Sequence, residues 1–100
     1  MTDQLVGAPG AVSVIDGETL RLAGQVVRVR GMADAACRAG SVCGARAVSA
    51  LSAIVWDRRV QCVPQSRDDQ GRAVVDCEAN GQDVAQATLA RLANGPARTF

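Results

Sequence analysis

Residues 12 to 30, VSVIDGETLRLAGQVVRVR, set three short alternating runs around tight-turn residues, and this restricts the fold more than any other stretch. Val12 and Val14 fall on one face of a strand, and Leu20 and Leu22 on one face of the next. In the third run, Val27 and Val29 point one way, Arg28 and Arg30 the other. IDGE, residues 15 to 18, holds an Asp-Gly pair, a strong hairpin signal, and AGQ turns the chain again. Strands this short, joined this tightly, form an antiparallel meander.

The remainder alternates helix and strand. Residues 32 to 40 read as a loop, and 1 to 10 as a flexible N-terminal segment. Ser41 is a helix N-cap by type, and Cys43, Ala47, Ala50, Leu51 and Ile54 follow on one helical face. A strand is expected at Val60 to Val63, then a polar turn at PQSRDDQGR, then a strand at Ala73 to Cys77. After the turn ANGQ, residues 82 to 94 return to helix with Val84, Leu89 and Leu92 apolar, and Asn-Gly with Pro96 stops it. The order is three strands, helix, two strands, helix, in one domain over residues 1 to 100. Closure removes exposed sheet edges, so the expected fold is α+β, mainly β. It is a five-stranded antiparallel OB-type barrel with a helix between strands 3 and 4 and a C-terminal helix.

Composition limits the chemistry. Of 100 residues, 48% are apolar, yet Trp56 and Phe100 are the only aromatics, so Val, Leu, Ile and Ala must build the core. Eleven basic and ten acidic residues give a net charge of +1, which makes no general electrostatic case for nucleic acid or membrane. A local arginine cluster can still hold phosphate. The chain has no histidine and no tyrosine, which excludes a histidine base and a Ser/His triad. No segment approaches the roughly 18 apolar residues of a membrane span. MTDQLVGAPGAV, with Asp3 and no long apolar run, does not read as a signal peptide.

Four cysteines, Cys37, Cys43, Cys62 and Cys77, occur without a CxxC pair, which disfavours zinc and favours two disulfides. Cys62 and Cys77 lie nearly equidistant from a hairpin tip around Asp69, so they face each other across two antiparallel strands. Cys37 and Cys43 remain as the second pair. Oxidation implies a secreted or periplasmic setting; the alternative is four buried free thiols in a cytosolic protein.

A series of motifs in the right order resembles the thermonuclease (staphylococcal-nuclease-like) family over about residues 11 to 100. VIDGETLRL is similar to V-I-D-G-D-T-L, and GQVVRVRGM to G-x-x-V-R-L-x-G-I. CGARAVSAL resembles the first helix of cysteine-containing bacterial members, and RDDQGRAVVDC resembles D-R-Y-G-R-x-x-A-x-C. GQDVAQATL and GPARTF resemble the closing V-N-x-x-L and G-W-A-x-x-Y. The resemblance implies an OB barrel and calcium-dependent phosphodiester hydrolysis of DNA and RNA. That chemistry needs oxygen ligands for the cation, a carboxylate for the attacking water, and two arginines for the phosphate.

By resemblance, the first metal carboxylate falls on Glu18, with Asp16 as the other acid of that turn, and the phosphate arginines fall on Arg28 and Arg72. The family's G-I-D-A-P-E stretch, which carries the second metal ligand and the water-activating acid, reads Gly31, Met32, Ala33, Asp34, Ala35, Ala36 here. Ala33 and Ala36 therefore stand at both acid positions. Asp34 lies one place late and takes part only if the loop shifts by one residue. Ordinary Asp-Gly turn chemistry, which needs no ion, accounts for Asp16 and Glu18 better than a residual metal site does, since one or two carboxylates have no second-strand ligand beside them. Ion pairs with Glu18 and nearby acids account for the arginines as well as a phosphate clamp does.

The leading expectation is a catalytically impaired thermonuclease-like domain that binds nucleic acid, a nucleotide or another phosphate-bearing anion through Arg28 and Arg72, with no membrane partner. It needs no cofactor, with calcium only if some metal site survives. A second expectation is a weak calcium-dependent phosphodiesterase using Glu18 and Asp34. A third is a structural or protein-binding domain without a phosphate ligand.

Overall fold

The computed structural model describes residues 4–32 and 41–93. These form an α+β fold, mainly strands. The strands are β1 (Leu5–Gly7), β2 (Val12–Asp16), β3 (Thr19–Leu22), β4 (Gln25–Val29), β5 (Val60–Arg67), β6 (Ala73–Ala79) and β7 (Gln82–Asp83). Helix α1 (Val42–Val55) lies between β4 and β5, and α2 (Val84–Ala93) follows β7.

The meander is present. β2 pairs with β3 and β3 with β4, both antiparallel, with Leu20 opposite Val27. Ala23 and Gly24 join β3 to β4 with positive φ at both positions, as Asn80 and Gly81 do between β6 and β7. Two left-handed residues match the twist of the strands they join, so these two-residue turns set the register. Alternation does the rest: Leu20, Leu22, Val27 and Val29 are buried, and Arg28 between the valines is half-buried.

Among the described residues the sheet has seven strands where five were expected, in the order β1-β5-β6-β4-β3-β2, with β7 paired to β6 off this path. It is not wholly antiparallel either. β4 and β6 run parallel, Arg28 level with Val74, because α1 and β5 intervene and carry the chain back to the start of the sheet. Leu5–Gly7, expected to be flexible, is a strand against β5 with Leu5 opposite Cys62. Gly7 explains how closely it sits: a Cβ there would come 2.5 Å from Leu22 Cδ1 and 2.6 Å from Val12 Cγ2. β5 also outruns its expected length, continuing through Pro64 to Arg67 with a bulge between Pro64 and Ser66. Among the described residues β1 covers only Val60 to Cys62, so Pro64 lies beyond that pairing and its missing N–H breaks no described ladder with β1.

Both helices pack on the sheet, with the face slightly rotated from expectation. Ser41 caps α1, its Oγ accepting from Gly44 N at 2.9 Å. Gly44, Ala47, Ala50, Leu51 and Val55 are buried, whereas Cys43 is exposed and Ile54 half-buried. In α2, Asp83 caps through Gln86 N at 2.9 Å, and the inward residues are Val84 and Thr88. Leu89, expected in the core, is exposed; Thr88 takes the inward position and donates its hydroxyl to Val84 O at 2.7 Å. Val27, Val29, Met32, Leu51, Val60, Val75 and Val84 form one core with the leucines of β3.

Cys62 and Cys77 are directly opposite on β5 and β6 and are disulfide-bonded. Cys43 is disulfide-bonded too, and its expected partner Cys37 lies outside the described residues. The bonded pair fits an oxidising compartment.

Candidate functional site

Two turns and one strand meet at the site. At the β2–β3 turn, Asp16 Oδ1 accepts the N–H of Glu18 at 2.9 Å. This local bond fixes the turn and leaves the Glu18 side chain facing β4. Arg28, in the middle of β4, donates Nε to Glu18 Oε1 at 2.7 Å.

The parallel pairing of β4 with β6 brings in the third contributor. Arg28 is level with Val74, and Arg72 lies two residues before Val74, on the same face by the period of a strand. Arg72 sits at the end of the β5–β6 turn, which Asp68 organises. Asp68 Oδ1 accepts from the backbone N–H groups of Gln70 and Arg72, both at 2.9 Å, and Oδ2 accepts from Arg72 Nε at 2.8 Å. Arg28 Nη1 reaches the same Oδ2 at 3.8 Å. The result is a chain, Glu18–Arg28–Asp68–Arg72, with two cations and two anions.

The electrostatics follow from that order. The hydrogen bond to Glu18, helped by the Glu18 charge, pushes the Arg28 guanidinium above its ordinary value, against a small desolvation and with Asp68 and Asp16 adding to it. Asp68 is the most enclosed member, its side chain only 6% exposed. Burial works to raise its carboxyl, but the backbone and side-chain hydrogen bonds from Arg72, the Gln70 N–H and the Arg72 charge together hold it below the usual carboxylate range. The side chains of Arg28 and Arg72 are about a third exposed, at 31% and 32%. Each guanidinium has five N–H donors, and Arg72 commits only Nε to Asp68 among the described residues. Among the described residues each of these arginines donates a side-chain hydrogen bond through Nε alone, and an anion at their outer edges would have to compete with Asp68 and Glu18 for their charge.

Arg30, two residues along β4, is set apart. It makes a bidentate pair with Asp76, Nε to Oδ1 at 2.8 Å and Nη2 to Oδ2 at 2.6 Å, at an exposed position. Of the expected site residues, Glu18, Arg28 and Arg72 come together and Asp16 supports the turn beneath them. Asp34, Ala33 and Ala36 lie outside the described residues. Sequence reasoning gave no role to Asp68, which links the two arginines. Its signal was the acid four residues before Arg72 across a Gly-containing turn.

Calcium takes about six to eight oxygen ligands. Glu18 Oε1 is engaged by Arg28 and Asp16 Oδ1 by Glu18 N, and no group of three His, Cys, Asp or Glu among the described residues could hold a metal ion. The described donor set therefore does not fit a calcium site. Among the described residues no helix is long and apolar enough to cross a membrane. No protein-family model matches the chain, and no curated protein matches it in sequence.

Proposed function

We propose that this chain is a thermonuclease-like OB-barrel domain, exported to an oxidising compartment, that has lost catalysis and binds a phosphate-bearing anion, nucleic acid or a nucleotide, through Arg28 and Arg72. Support for the barrel comes from strand order. The two ends of the hydrogen-bonded path, β1 and β2, are consecutive in the chain and joined only by residues 8 to 11. The close approach of Gly7 to Val12 and Leu22 draws those ends together. Support for lost catalysis comes from Ala33 and Ala36, which offer neither a cation ligand nor a base.

The observation that carries the anion reading is the convergence of both guanidiniums on one oxygen, Asp68 Oδ2, from separate elements. Two guanidiniums aimed at one anionic oxygen suit a phosphate, whose oxygens accept from several donors. One feature favours a second reading, a structural network: each arginine already has a carboxylate partner, so the cluster is neutral by its own members.

Titration with a nucleoside bisphosphate and with single-stranded DNA at low salt separates the two. Binding that weakens by about tenfold or more in Arg28→Ala/Arg72→Ala, and that falls with added salt, is expected. No binding at low salt, or binding unaffected by the double substitution, leaves the structural reading. Plasmid degradation with and without calcium completes the assay, and cleavage abolished by Glu18→Ala would overturn the loss of catalysis.

A further inference from the structure

Helices α1 and α2 pack against each other and leave an open groove of about 1060 Å³ between them. Its wall is mostly apolar, including Val42, Ala45, Ile54, Ala87 and Leu92. Val42, in the first turn of α1, is 78% exposed. Arg46 of α1 and Arg91 of α2 line the same groove, and both are exposed. Neither meets a carboxylate among the described residues, in contrast to Arg28, Arg30 and Arg72. Neither helix contains an aspartate or glutamate.

We propose that this groove binds an acidic amphipathic helix of a partner protein. Its apolar face would lie against Val42, Ala45, Ile54 and Leu92, and its carboxylates would meet Arg46 and Arg91. Charge complementarity selects that occupant. A second copy of the chain presenting the same face would bring arginines to arginines with no acid on either helix. The segment 94–100, NGPARTF, has no acid and adds Arg98; the segment 33–40, ADAACRAG, balances Asp34 with Arg38. A flat anionic bilayer does not enter a concave groove. The 14 residues of α1 span about 21 Å, enough to seat a few turns of a partner helix at the usual 1.5 Å per residue.

The test uses the full chain and a synthetic amphipathic helix with leucines at helical spacing flanked by glutamates, followed by fluorescence anisotropy. The peptide is expected to bind, to release on raising the salt, and to bind about tenfold or more weakly to Arg46→Glu/Arg91→Glu. Ala45→Trp, which fills the groove from an exposed position, is expected to abolish binding as well. Both variants should keep the wild-type circular dichroism spectrum, the charge reversal with a small fall in Tm because Arg91 lies in the last turn of α2, and Arg28→Ala/Arg72→Ala should bind the peptide as wild type does. The same peptide with lysines for glutamates should not bind. The proposal is overturned if the acidic peptide fails to bind at low salt, if the double charge reversal binds it equally well, or if the lysine peptide binds comparably. It is also overturned if laurate or anionic vesicles bind with the same arginine dependence while the peptide does not.

Discussion

Two pairs of arginines on this molecule have opposite surroundings. Arg28 and Arg72 share Asp68, and Arg28 also holds Glu18, so their charge is answered within the fold. Arg46 and Arg91 face an apolar groove on two helices without an acid and meet no carboxylate among the described residues. A guanidinium with internal partners ties turns together, and its loss should register in stability. One without partners adds little to stability, and its loss should register mainly in binding. The difference also sets the cost of a ligand. An anion at the first pair must displace carboxylates; an acid at the second finds its partner waiting.

The largest expected effect comes from loosening the hairpin that carries half of the first pair. Asp68 and Arg72 sit at the tip of β5–β6, and Cys62–Cys77, 15 residues apart, closes the loop behind them. On the chain-entropy model that bridge contributes about 3 kcal/mol. Urea unfolding of Cys62→Ala/Cys77→Ala should show a loss of at least that size, since both side chains are buried. A loss well below about 1 kcal/mol would mean that strand register alone holds the hairpin.

Asp68 comes next. Asp68→Asn removes the charge that both arginines share while keeping a side chain able to accept from the turn's N–H groups. Its Tm should fall by several degrees near neutral pH, whereas Arg46→Glu/Arg91→Glu should lower Tm only slightly, through Arg91 in the last turn of α2. The pH dependence has a definite sign. The Asp68 carboxyl is held below its unfolded value, near 3.9 for an ordinary aspartate, so its contribution is complete above that value. As pH falls through the folded-state value the contribution disappears. The stability gap between wild type and Asp68→Asn should therefore close on acidification below about pH 4. A gap that persists unchanged into strong acid would mean that the charge of Asp68 is not what links the arginines.

What was legible in the sequence was local. Strands β2 to β4 came from alternation and from turns two residues long, and the cap at Ser41 from a side chain and an N–H three residues on. The Cys62–Cys77 pairing was also readable, because a hairpin makes cross-strand distance a matter of counting from its tip. What was not legible depended on partners far along the chain. Leu5–Gly7 becomes a strand only because β5 supplies hydrogen bonds and Leu22 and Val12 accept a residue without a side chain. Asp68 looks like one polar turn residue among several until the parallel register of β4 and β6 sets Arg28 beside it. Thr88 and Leu89 differ by one position on a helix, and a 3.6-residue period with few apolar residues does not decide between them. The approach of Arg28 to Arg72 was expected from family resemblance, not from spacing.

The smallest effect compares two arginines on one strand. Arg28 is 31% exposed and reaches two carboxylates; Arg30 is 60% exposed and reaches one, in better bidentate geometry. If geometry of a single pair decided stability, Arg30→Ala would be the costlier change. Enclosure and a shared acid argue the other way, because solvent screens the outer pair more strongly. Arg28→Ala is expected to cost about 1 kcal/mol and Arg30→Ala less than about 0.5 kcal/mol. A double-mutant cycle removes the remaining ambiguity from lost packing of the long arginine stem. Arg28→Ala combined with Glu18→Ala should show a measurable coupling, and Arg30→Ala combined with Asp76→Ala almost none. Equal couplings would mean that the network around Asp68 adds nothing to an ordinary surface pair. The contrast between internally answered and unanswered arginines would then rest on binding alone.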